Sequence, residues 1–69
     1  MSTSTQTFTV TGMTCGHCVS SVTEEVSELA GVQNVDVDLA SGAVTITSAE
    51  PLEDSAVRAA VEEAGYALA

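Results

Sequence analysis

Val35-Asp36-Val37-Asp38-Leu39-Ala40-Ser41-Gly42-Ala43-Val44-Thr45-Ile46-Thr47 reads as a β-hairpin. Val35, Val37 and Leu39 alternate with two aspartates, Ser41-Gly42 turns the chain, and Val44 and Ile46 then alternate with threonines. A period of two sends the apolar side chains to one face of the strands and the polar ones to the other. A two-stranded unit of this kind is not stable by itself in water, so its apolar face needs a cover.

The cover lies on both sides of the hairpin. Upstream, Val19, Val22, Val26 and Leu29 recur at helical spacing, with Ser20, Ser21, Glu24, Glu25 and Glu28 between them. This helix is expected to begin between Thr14 and Cys18, with Thr14 as its N-cap, and to end at Gly31. Before it, Thr7-Phe8-Thr9-Val10-Thr11 alternates as a strand that Gly12 ends. Downstream, Pro51 is expected to open a second helix whose stripe is Leu52, Ala56, Val57, Ala60, Val61 and Ala64. Gly65 ends it, and Tyr66-Ala67-Leu68 is a short last strand.

The order is therefore β-α-β-β-α-β. Strands with one apolar face and two amphipathic helices specify an α+β, ferredoxin-like sandwich: a four-stranded antiparallel sheet with both helices on one face. Residues 1–6 are expected to be a flexible N-terminal tail and 7–69 a single domain. Met1 and the end of the chain just after the last strand suggest a free-standing protein.

Sixty-nine residues bury too little surface for more than marginal stability. Two cysteines are too few for a disulfide scaffold, and a Cys15–Cys18 bridge would close too short a loop to brace much. The thiols are better explained by chemistry than by structure. The N-terminus has neither the positive charge nor the apolar run of a signal peptide, and no stretch is long enough to span a membrane. A cytoplasmic setting, where thiols stay reduced, is expected. Arg58 is the only basic residue against ten acidic ones, a net charge of −9. That balance argues against nucleic acid and an anionic membrane surface as partners, and fits either solubility or a basic partner surface.

Cys15 and Cys18 sit in Gly12-Met13-Thr14-Cys15-Gly16-His17-Cys18, between the first strand and the first helix. Thiols three residues apart at such a junction converge on one small volume, near unpaired backbone N–H groups that favour thiolate. Structural zinc needs four ligands, and one cysteine pair with one histidine does not supply a closed site. Cu(I) is soft, prefers thiolate and accepts few ligands, so an incoming thiol can attack and remove it. Such a site suits carrying and handing over. A thiol-disulfide oxidoreductase remains the alternative of a different class, since C-x-x-C before a helix is also a redox signature. Against it, no tryptophan stands beside the motif, and the single proline precedes a helix.

Taken with Ala64-Gly65-Tyr66 about fifty residues later, the motif resembles the heavy-metal-associated domain family, and within it the small bacterial copper chaperones. The likeness covers about residues 7–68. It implies a non-enzymatic βαββαβ domain that holds Cu(I) through Cys15 and Cys18. It implies transfer to a metal-binding domain of a copper-transporting P-type ATPase or to a copper-responsive regulator. It also implies that Met13 is a buried anchor for the loop and that Tyr66 stands behind the ligands.

The plainer readings stay open for each neighbour. Met13 is core filler or a third sulfur ligand. His17 is a solvent-facing bystander or an auxiliary ligand in oligomers. Tyr66 closes the core or tunes the thiolates by a hydrogen bond. Zinc, cadmium and mercury binders share the motif. Thr14 stands where a carboxylate would point to zinc or cadmium, and mercury carriers are expected to be exported. The apo protein is expected to be a monomer, with copper able to bridge two chains.

Overall fold

The computed structural model describes residues 3–14 and 16–69. The elements run β1 (Ser4–Thr11), α1 (Gly16–Ser27), β2 (Val32–Asp38), β3 (Ala43–Ser48), α2 (Asp54–Glu63) and β4 (Ala67–Leu68). The strands form one sheet in the order β2-β3-β1-β4, and every neighbouring pair is antiparallel. The ferredoxin-like βαββαβ arrangement anticipated from the alternating patterns is the one the chain adopts.

The core is small and made largely of valine. Val10, Val22, Val26, Val44, Ile46, Val57, Ala60 and Val61 form one buried cluster, with Phe8, Met13, Leu29 and Tyr66 among the half-buried side chains against it. Both helical stripes reach it, so the helices share one face of the sheet. The other face is a carpet of threonines. Thr7 and Thr45 are paired across β1 and β3, and their hydroxyls are 3.3 Å apart. Ser48 breaks the apolar inner face of β3 but is satisfied: it is fully buried and its Oγ donates to the Glu50 carbonyl at 2.6 Å.

Several boundaries differ from the sequence expectation. Ser4, Thr5 and Gln6, assigned to the tail, belong to β1 and pair with Ser48, Thr47 and Ile46 of β3. Met1 and Ser2 lie outside the described residues. α1 ends at Ser27 rather than near Gly31, because Glu28 N–H and Leu29 N–H bond the carbonyls three residues back, Glu25 and Val26, and tighten the last turn. α2 begins at Asp54, not at Pro51. The cause is Gln6. Its Oε1 accepts from Leu52 N–H at 2.7 Å and its Nε2 donates to the Leu52 carbonyl at 3.1 Å, so both backbone groups of Leu52 are tied to β1, and Glu53 just before the helix is extended. Gln6→Ala is therefore expected to cost about 1–2 kcal/mol, the net worth of two such bonds. A lower urea midpoint with an unchanged slope would show it; an unchanged midpoint would mean that water replaces the side chain without loss.

The end of α2 directs the chain towards the first loop. Tyr66 N–H donates to the Val61 carbonyl at 3.1 Å and Gly65 N–H to that of Glu62 at 2.9 Å. This is a Schellman closure, which needs the left-handed backbone of Gly65 (φ +96°). Tyr66 is thereby turned back under the loop that follows β1.

Candidate metal centre

β1 ends at Thr11 and α1 starts at Gly16, so Gly12, Met13 and Thr14 lie in the connection between them. Cys15 falls outside the described residues. Cys18 is in the first turn of α1 and only 7% exposed, so its sulfur is at the surface of the core rather than in open solvent. Thr14 N–H donates to Cys18 Sγ at 3.5 Å. The sulfur thus accepts a backbone hydrogen bond within the first helical turn.

Met13 is half-buried and packs against the core cluster, which gives the loop an anchor. Tyr66 is also half-buried against the core. Its ring lies over Gly12, where an added Cβ would stand 3.4 Å from Cδ1. The loop before β4 and the loop carrying the cysteine motif are therefore neighbours, as the sequence pairing of Cys-x-x-Cys with Gly65-Tyr66 implied. His17 is exposed on the first turn of α1. Among the described residues, no three His, Cys, Asp or Glu side chains gather as a metal cluster.

Thr14 departs from its expected role. It stands two residues before the helix rather than next to it, and its hydroxyl lies 3.9 Å from Cys18 Sγ. The sequence signal was there: Thr14 and Cys18 are four apart at a helix start, a spacing that brings side chains together.

The acidic residues form a shared field. Glu25 is half-buried on α1. Its carboxyl is pushed above the ordinary value, first by partial burial and then by the charges of Glu28, Glu63 and Glu24. Glu63 is the last residue of α2, so the repulsion spans both helices. The native state holds this proton to higher pH than the unfolded chain does. The group's contribution to stability is thus complete below the unfolded carboxylate value and is lost as pH rises through the folded one.

The family model described as heavy-metal-associated domain matches residues 7–67. The chain is similar to copper chaperone CopZ of Bacillus subtilis (strain 168), with 38% identity over 65 residues that cover 93% of this chain and 94% of that protein. It is also similar to a segment of human copper-transporting ATPase 2, at 38% identity over 64 residues, which are 91% of this chain and 4% of the ATPase. Among solved structures, one described as CopZ metallochaperone superposes with a TM-score of 0.88 at 33% identity, covering 96% of this chain and 100% of the other.

Proposed function

This chain belongs to the heavy-metal-associated domain family, and on that premise we propose that it is a cytoplasmic carrier of Cu(I) that hands the ion on rather than an enzyme. Copper is its cargo, held by the thiolates of Cys15 and Cys18. The observation that carries the reading is the end-to-end likeness to a copper chaperone in a chain whose motif supplies two sulfur donors, Cys15 and Cys18. Soft donors in low number select a soft ion. The same sparse donor set leaves room on the metal for an incoming sulfur.

Transfer is then ligand exchange. A partner thiolate forms a Cu–S bond, one Cu–S bond to this chain breaks with its electron pair left on sulfur, and a second exchange completes delivery. Copper stays Cu(I) throughout. The recipient is a metal-binding domain of a copper-transporting P-type ATPase or a copper-responsive regulator. Likeness to a segment of a copper-transporting ATPase supports the first, since donor and acceptor would then share a fold. Mixing the copper-loaded protein with such a domain under anaerobic conditions, then separating the two and counting metal, tests the proposal. Copper in the acceptor is expected; copper that stays put would contradict it.

The acidic field gives this exchange a salt dependence. Glu62 and Glu63 are exposed at the end of α2, one short loop before Tyr66. Against a recipient with lysine or arginine around its own cysteines, this field speeds encounter and is screened by salt over about 8 Å at physiological ionic strength. The transfer rate is expected to fall as salt rises, and Glu62→Gln with Glu63→Gln to flatten that fall. A rate indifferent to salt would return the charge to solubility alone.

A further inference from the structure

Thr14 meets the sulfur of Cys18 twice. Its N–H donates at 3.5 Å, and its Oγ1 lies 3.9 Å from Sγ, where either atom can hold the proton. Thr14 is itself exposed, so its hydroxyl is not held there by burial in the core. A metal-bound thiolate has no proton, which leaves the hydroxyl as the only possible donor in that contact. Donation to a charged acceptor is stronger than donation to a neutral one.

We propose that Thr14 is a positioning residue that sets how readily Cys18 releases copper. The inference rests on the carrier reading above. A sulfur that accepts two hydrogen bonds has less electron density to offer the metal, and its negative charge is already stabilised where it will be left. Thiolates stabilised in this way are better leaving groups in exchange at sulfur, and the same logic applies to a Cu–S bond. In the step concerned, the entering thiolate forms a Cu–S bond, the bond to Cys18 breaks, and its electron pair remains on Sγ. The entering thiolate brings no proton, the freed sulfur keeps its charge or takes a proton from water, and no electron leaves the metal. Thr14 thus favours transfer over retention, and it does so without touching the ion.

The test uses the full chain loaded anaerobically with one Cu(I) and a sulfonated phenanthroline chelator as coloured acceptor. Thr14→Val removes the hydroxyl and keeps the shape; Thr14→Ser keeps the hydroxyl. Release from Thr14→Val is expected to be slower by about fivefold, the equivalent of one net hydrogen bond, and Thr14→Ser to restore the wild-type rate. A metal-free arm reads the Thr14 side-chain rotamer from three-bond couplings in the apo protein. One rotamer is expected in the wild type, and averaging in Cys18→Ala. Equal release from wild type and Thr14→Val, or a Thr14→Ser variant as slow as Thr14→Val, would overturn the role given to Thr14 and leave the carrier reading standing. An averaged rotamer in the wild-type apo protein would overturn the contact itself. Failure of the wild type to take up one copper would instead overturn the carrier reading, while the rotamer arm still decides the contact.

Discussion

Cys15→Ser with Cys18→Ser is expected to abolish tight Cu(I) binding, and each single change to weaken it by on the order of a hundredfold or more. A four-ligand metal site contributes roughly 10–16 kcal/mol, so each ligand carries a few kcal/mol, and serine offers a hard oxygen where a soft sulfur stood. The fold should survive. Cys18 is small, lies at the edge of the core, and a serine hydroxyl there can still accept from Thr14 N–H. Met13→Leu serves as the control. Met13 packs against the core, and leucine conserves its volume, so copper binding should be nearly unchanged. Competition with a Cu(I) chelator measures all of these. Tight binding retained in the double variant would remove the ligands from the account, and binding lost in Met13→Leu would make Met13 a ligand.

Gly42→Ala is expected to be the most damaging single change to the fold, at about 2–3 kcal/mol. Gly42 closes the β2–β3 turn with its N–H on the Asp38 carbonyl at 2.8 Å, and its own carbonyl accepts from Val10 N–H at 2.8 Å. Its φ is +78°, and an added Cβ would stand 2.6 Å from the Val10 carbonyl oxygen. The clash is with backbone, so no side chain can swing away. In a domain of this size such a loss lowers the melting temperature by roughly 10–20 °C. Val10 lies two residues before Gly12, so the shift would also disturb the loop that carries the thiols. Thermal unfolding followed by circular dichroism reads the effect, and a melting temperature within a degree or two of wild type would show that β1 can move aside.

The features legible in the sequence were those set by local periodicity. The valines of α1 and α2 lie on one face each, and the alternating strands pair as their patterns required, because a one-residue slip would turn every apolar side chain to water. The misread boundaries depend on contacts between distant residues. Gln6 gave no hint of strand, since only the backbone of Leu52, 46 residues on, reveals what its amide does. Pro51 looked like a helix start because the rule for proline at the first turn knows nothing of that bond. Leu39 continued the alternation of β2 on paper. In the fold it is 38% exposed in the turn, where Asp38 Oδ1 accepts from Ala40 N–H and ends the strand first.

The site was legible in part for the same reason. Cys-x-x-Cys at a strand–helix junction is a local pattern, and the pairing with Gly65-Tyr66 became physical when the Tyr66 ring was found over Gly12. Thr14 was read as a helix cap because the rule for caps concerns backbone donors, whereas its hydroxyl lies against sulfur. The acidic field was visible as composition, but that Glu63 acts on Glu25 across two helices needed the fold.

Whether this chain is a Cu(I) carrier is decided by anaerobic titration of the reduced protein with Cu(I) in the presence of competing Zn(II), with stoichiometry read by native mass spectrometry. One copper per monomeric chain is expected at one equivalent, undisturbed by zinc, with copper-bridged dimers only as copper exceeds that ratio. A chain that binds no copper, or that gives up its copper to zinc, would contradict it.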